Sequence, residues 1–300
     1  MTRDQASGLS SGSWRSLPEN KMASPMRSTR RSPVLGIVSG KGGVGKSMLA
    51  INVATAASAS GARTLLVDGD LGLANADLLM GMVPSGCLED WLDERICFED
   101  AICHGPNGLE VLISGTGRRV ADRIRAAASG VANDALGQRI DQQDLTVLDL
   151  GAGIGDRVLG LASSCDLVWL VVTPEPTSLA DAYVTAKKLW RWAPAQRIEL
   201  VVNRVRKPED GSRTHQSLNR LVQRFLSRTL PLRAVLPEDP AMLRSVVRQR
   251  PVVLDEPNSK AARRLRLLTE ALLEEDFAEP RQVANSPRTR ESRVAPRLAR

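Results

Sequence analysis

Residues 40–47 read Gly-Lys-Gly-Gly-Val-Gly-Lys-Ser, and no other stretch of this 300-residue chain limits its possible folds as severely. The spacing G-x-x-x-x-G-K-[ST] is that of a phosphate-binding loop. An apolar run at 34–38, suited to a buried parallel strand, precedes it, and an amphipathic helical pattern at 47–60 follows. In that setting Gly40, Gly42, Gly43 and Gly45 let the backbone around Val44 wrap phosphate oxygens. Its N–H groups then point inward at the positive end of the next helix. Lys46 is placed to reach the β and γ phosphates, and the Ser47 hydroxyl to ligate Mg2+. ATP and Mg2+ are the expected ligands. A glycine-rich turn with no ligand is the alternative, and the flanking strand and helix argue against it.

The rest of the chain repeats the strand–helix alternation. Apolar runs recur at 64–67, 145–148, 167–172, 198–202 and 234–236. Helical patterns lie at 74–80, 157–163, 179–192, 215–227 and 240–248, and a last one at 259–275 puts Ala261, Leu265, Leu268 and Leu272 on one face. This predicts right-handed βαβ units: an α/β fold with a mainly parallel twisted sheet and helices on both faces. One such domain fits 34–276. Residues 1–33 and 277–300, rich in Ser, Arg and Pro, are expected to be disordered arms. Aromatics are only 3% of the chain, so the core must rest on Leu, Val, Ile and Ala. No apolar run approaches the roughly 20 residues that span a bilayer. Cys87, Cys97, Cys103 and Cys165 form no C-x-x-C pair, which reads as reduced thiols in a cytoplasmic protein.

The net charge of +7 is not spread evenly. Residues 1–33 carry six basic and two acidic side chains, residues 277–300 carry the same, and 34–276 are left at −1. A basic end can bind nucleic acid or an anionic membrane, the latter at roughly 1 kcal/mol per Lys or Arg. A solvated tail is the plainer reading. Nucleic acid is not expected to bind the folded body.

Two of the strand runs end in carboxylates. Thr64-Leu-Leu-Val-Asp68-Gly-Asp70 carries two, and Leu145-Thr-Val-Leu-Asp149 carries one. Ligands of parallel α/β sheets gather at such carboxyl ends. Acids there can order the waters of Mg2+ and the attacking water. A lone strand-end Asp would default to capping or turn formation; two such strands downstream of a P-loop reverse that. With only His104 and His215 in the chain, neither in a motif, a His-based triad or metal centre is unsupported.

Lys41, directly after the first glycine, exceeds what an ordinary P-loop needs. Taken as a bare residue it could be a solvated loop charge. Lys41-Gly-Gly-Val-Gly-Lys-Ser, however, resembles the deviant Walker A motif of the ParA/MinD ATPases, in which this lysine crosses the interface of an ATP-sandwich dimer. Asp68-Gly-Asp-Leu-Gly-Leu-Ala-Asn75-Ala-Asp77-Leu-Leu-Met-Gly is similar to the switch I stretch of MinD-type ATPases and closer to their flagellar FlhG/FleN branch. The likeness implies that Asp70 positions the hydrolytic water and that Asp68 supports the metal shell, while Asp149, closing its apolar strand, reads as a Walker B acid for the metal. It continues through Asp149–Gly155, Val171–Tyr183, Val201-Val-Asn203-Arg-Val and Leu236-Pro-Glu-Asp239, and covers 34–272. In the family, the Asn of the V-N-R-V strand end hydrogen-bonds adenine and the P-x-D loop borders the base. By resemblance those roles fall to Asn203, Pro237 and Asp239. Lys41, Lys46 and Asp70 are the expected catalytic set.

Asp4-Gln5-Ala6-Ser7-Gly8-Leu9 resembles the D-Q-A-x-x-L-R segment heading FlhG-type proteins, which activates the SRP-type GTPase FlhF; Ser10 stands where the usual Arg would be. The resemblance therefore implies a slow, dimerising switch ATPase of flagellar number or placement. Its partners would be a second copy of the chain, FlhF through residues 1–10, and flagellar regulators or switch-complex proteins. The helix ending near Glu275 carries Glu270, Glu274, Glu275 and Asp276 and does not look like the membrane helix of MinD-type proteins. Contact with the inner face of the membrane would be weak and electrostatic, or supplied by a partner. A ParA/MinD-type ATPase positioning another cargo is the first alternative. A metabolic P-loop enzyme is a second, and the residues it would need around the phosphates are not found.

Overall fold

The run before the P-loop forms β1 (Val34–Ser39), buried along its whole length. In chain order there follow α1 (Lys46–Ala59), β2 (Thr64–Gly69), α2 (Ala76–Met80), α3 (Leu88–Leu92), β3 (Ile102–His104), β4 (Glu110–Ile113), α4 (Arg118–Ala128), α5 (Ala135–Asp141) and β5 (Leu145–Ala152). The second half adds α6 (Asp156–Ala162), β6 (Leu167–Val172), α7 (Pro176–Trp192), β7 (Ile198–Val205), α8 (Pro208–Leu226), β8 (Leu232–Pro237), α9 (Pro240–Val247), α10 (Val252–Asp255) and α11 (Lys260–Ala271). This computed structural model describes residues 32–71, 74–115 and 117–276. The arm with its Asp4–Leu9 segment and the tail at 277–300 lie outside the described residues.

Among the described residues the eight strands make one sheet, ordered β3-β4-β2-β5-β1-β6-β7-β8. Only the β3–β4 pair is antiparallel. Because side chains alternate along a strand, each central strand feeds two cores. Val34, Val38, Leu65, Val67, Leu148, Val168 and Leu170 point to the layer of α3–α8. Leu35, Ile37, Leu66, Val147, Trp169 and Val171 point to the layer of α1, α2 and α9–α11. That is the predicted α/β architecture. Gly36 in β1 makes room for Cys165, whose sulfur would stand 2.7 Å from any Cβ there. This cysteine is a small core residue.

Two differences from the sequence reading have simple causes. Residues 81–144, to which the apolar runs and helical patterns assign no element, contain β3, β4 and α3–α5. The strands are only three and four residues long, and α3 and α5 run five and seven residues, too short for a periodic signal. By contrast α4, with Val120, Ala121, Ile124, Ala127 and Ala128 buried over eleven residues, is long enough to carry one. Helices α7 and α8 start earlier than their apolar patterns, because Pro176 and Pro208 occupy first-turn positions, where a missing N–H costs nothing.

Candidate functional site

Strand order decides which residues meet. β1 lies between β5 and β6, and β5 between β1 and β2, so the P-loop and both acidic strand ends share one edge. In the parallel registers Asp149 stands opposite Ile37 on one side and Asp68 on the other. The loop then turns into α1 through Gly45, whose φ of 93° is left-handed and disfavoured for other residues. A Cβ at Gly45 would also collide with the Asn203 amide. Gly40 is required for a different reason: a Cβ there would sit 2.5 Å from the Asp181 carbonyl. The open N-terminus of α1 has no side-chain cap and no acidic residue in its first turn, so its N–H groups and dipole remain available to an anion.

The P-loop lysine is buried against the acids. Lys46 Nζ donates to Asp149 Oδ1 at 3.1 Å and lies 3.6 Å from Asp70 Oδ2. Asp149 is 1% exposed, and burial pushes its carboxyl up to about 6 despite the attraction of Lys46; Asp68 adds to the rise, and the Ser47 hydroxyl pulls it down. Asp149 Oδ2 is buried without a hydrogen-bond partner. An ionised oxygen left unpaired beside a serine hydroxyl suits a hard cation and its waters, so Ser47 and Asp149 fit magnesium.

Asp68, expected to support the metal, is engaged differently. Its Oδ1 accepts from the Asp70 N–H at 3.1 Å, and its Oδ2 from the N–H groups of Asn75 and Ala76 at 2.8 and 2.9 Å. Burial raises its carboxyl and these bonds pull it back down. Asp68 therefore holds the loop that carries Asp70 and starts α2.

Two expected base-pocket residues also have partners. Asn203 Nδ2 donates to the Val44 carbonyl at 2.8 Å, tying β7 to the P-loop. The ladder of β7 shifts between Val202 and Val205, and Arg204 takes a left-handed φ of 56°. This bulge turns Asn203 toward the loop. Asp239 caps α9 through the Ala241 N–H (2.9 Å) and also reaches the Ala261 N–H at the start of α11 (3.0 Å). Pro237 closes β8 beside Val205, which brings the P-x-D loop to the strand end that bears Asn203.

Lys41 does not share the buried cluster. Its Nζ donates to Glu175 Oε2 at 2.9 Å and to Thr177 Oγ1 at 3.2 Å, at the start of α7. The lysine side chain is 40% exposed and the glutamate 54%. The hydrogen bond and charge of Lys41 hold the Glu175 carboxyl below its ordinary value. Sequence reasoning assigned no role to Glu175 or Thr177. The available signal was an acid and a hydroxyl flanking Pro176 just past the end of β6.

Comparison with known proteins agrees with this geometry. The profile of the CobQ/CobB/MinD/ParA nucleotide-binding domain matches residues 35–252. The chain is 34% identical to the antiactivator FleN of Pseudomonas aeruginosa over 229 residues, 76% of this chain and 82% of that protein. It is 29% identical to the flagellum site-determining protein YlxH of Helicobacter pylori, over 73% of this chain and 74% of that one. Among solved structures, the septum site-determining protein MinD of Pyrococcus horikoshii, complexed with Mg-ADP, superposes with a TM-score of 0.66 at 25% identity; the match covers 84% of this chain and all of that one.

Proposed function

Because the chain belongs to the CobQ/CobB/MinD/ParA nucleotide-binding family and is an ATPase of the MinD/ParA kind, we propose that it is a dimerising ATP switch governing flagellar number or placement. The observation that carries the switch is the division between its two loop lysines. Lys46 is buried among carboxylates at the phosphate site, while Lys41 stands at the exposed lip, held by surface side chains. In this reading the N–H groups of residues 42–47 and Lys46 bind the phosphates of ATP. Asp70 orients a water for in-line attack, giving ADP and phosphate. Ser47 and Asp149 would hold magnesium, which would supply charge neutralisation at the phosphates. Asn203 exchanges the Val44 carbonyl for the base, which the loop around Pro237 and Asp239 borders. Lys41 leaves Glu175 and reaches the nucleotide of a second copy.

The flagellar assignment is supported by the likeness to FleN and YlxH together with the Asp4–Leu9 segment. Residues 1–10 dock on an SRP-type GTPase of the FlhF kind, and Gln5 stimulates its turnover, a carboxamide being able to orient water without changing charge. The protein acts in the cytoplasm, with weak or partner-mediated contact at the inner membrane face. A synthetic peptide of residues 1–20 raises FlhF GTP turnover and the Gln5→Ala peptide does not. Unchanged turnover at saturating peptide would remove the flagellar assignment and leave a MinD/ParA-type ATPase positioning another cargo, the second reading favoured by the MinD superposition.

A further inference from the structure

The near-neutral charge of residues 34–276 hides a segregation that only the fold brings together. Helices α7 and α8 pack side by side in one layer. Over 182–198 and 211–231 the sequence holds eight Lys and Arg and no Asp or Glu. Arg197 is paired with Glu199, and Arg213 lies 3.8 Å from Asp210. Among the described residues, Lys187, Lys188, Arg191, Arg220, Arg224 and Arg228 pair with no carboxylate. Exposed apolar side chains accompany them. Phe225 is 60% exposed, Leu221 40% and Val184 37%. Leu221 and Phe225 lie one turn apart on α8. The Phe225 ring meets Tyr183 of α7 edge-on with centroids 6.4 Å apart, and the Arg224 guanidinium covers it at 5.2 Å.

Scattered surface apolar residues need no explanation. Val184, Leu221 and Phe225 on two adjacent helices, among cations that nothing neutralises, mark an interaction face. We propose that this face docks an acidic amphipathic helix of a partner protein. The apolar residues of that helix pack on Val184, Leu221 and Phe225, and its carboxylates pair with the flanking lysines and arginines. Three features favour this occupant. Exposed Val and Leu contribute nothing to binding a phosphate backbone. Phe225 is clamped between Tyr183 and Arg224, so it is a floor to pack against; a side chain that inserts into lipid must project freely. Four of the six unpaired cations are arginines, whose planar fork matches a carboxylate in two-point contact, and aromatic and Arg side chains dominate protein hot spots. The proposal stands whichever cargo the ATPase serves. It also revises the expectation drawn from the net charge: the folded body does present a basic surface, of a kind suited to protein.

The test uses the full chain and a fluorescent synthetic helical peptide with Asp and Glu on one face and Leu and Phe at i and i+4 on the other. Anisotropy should show saturable binding. Phe225→Ala, and separately Lys187→Glu with Lys188→Glu, should each weaken it about tenfold or more. A peptide of the same composition in scrambled order should bind at least about tenfold more weakly than the ordered one. Unchanged ATP binding and thermal unfolding show that a variant is folded, and the α7 variant keeps the test available if the α8 variant is not. The proposal is overturned if the wild type does not bind the ordered peptide, or if the scrambled peptide or both variants bind as well. It is also overturned if duplex DNA or phosphatidylglycerol vesicles bind this face more tightly than the peptide does.

Discussion

Two lysines five residues apart in one loop have been given opposite surroundings. Lys46 is 8% exposed, with Asp149 at 3.1 Å and Asp70 at 3.6 Å. Lys41 is 40% exposed and bonded to a glutamate that is itself more than half exposed. Breaking an ion pair out of water is costly because it leaves an uncompensated buried charge, whereas an exposed pair contributes little. The protein therefore commits Lys46 to one place and leaves Lys41 cheap to release. That asymmetry is what a site needs if it must grip the nucleotide in every state and a second subunit only conditionally.

The sharpest way to break the comparison lies on the buried side. Asp70→Ala should lower ATP turnover about a thousandfold, the middle of the range for losing a positioned acid–base group. ATP binding should persist and a stable dimer should accumulate. Parental turnover measured by phosphate release would mean that Asp70 does not orient the water. Lys46→Ala should weaken ATP binding on the order of a hundredfold, the loss of charge-assisted bonds to phosphate. Fluorescent-nucleotide titration reads it, and equal loss from Lys41→Ala would erase the distinction between the two lysines.

The same burial has a pH signature. Asp149 titrates at about 6 in the fold against 3.8 ordinarily. Between those values the folded protein keeps a proton that the unfolded chain releases, so stability falls as pH rises through the window, by at most about 3 kcal/mol. Asp68, also raised by burial, adds the same sign. Denaturant midpoints of the nucleotide-free protein should therefore decline from pH 4 toward pH 6 in this component, and Asp149→Asn should flatten the slope. A wild-type profile rising through this window with no change in Asp149→Asn would contradict the raised carboxyl.

On the exposed side the effects should be smaller and confined to assembly. Lys41→Ala should leave ATP affinity within about threefold of the parent, as expected for an exposed charge, and yet stay monomeric by light scattering with ATP. A nucleotide-independent dimer would sink the sandwich arrangement. Glu175→Gln should shift the concentration for ATP-dependent dimerisation about threefold downward, the scale of one surface pair. An upward shift would show that Glu175 belongs to the dimer contact and is no restraint on Lys41.

Much of this was legible beforehand. The P-loop spacing, the apolar runs and their acidic ends follow from local rules: glycine where the backbone must turn left-handed, β-branched and Leu-rich runs where a strand is buried on both faces, a carboxylate toward the carboxyl end of a parallel strand. Those rules place Gly40–Ser47, Asp70 and Asp149 at one edge of a parallel sheet, because each is written within a few consecutive residues. Short elements escaped. β4 and α5 are held by neighbours distant in sequence and β3 by its pairing with β4, not by periodicity of their own. What each side chain touches also escaped. That Asp68 binds three backbone N–H groups, that a bulge at Arg204 turns Asn203 onto the Val44 carbonyl, and that Lys41 rests on Glu175 some 134 positions away are facts of tertiary structure. So is the gathering of cations from α7 and α8 onto one face, since a charge sum over 34–276 averages away what packing two helices together concentrates. Local chemistry follows from neighbours along the chain, whereas a partner is chosen by distance in space, and only the packed sheet sets those distances.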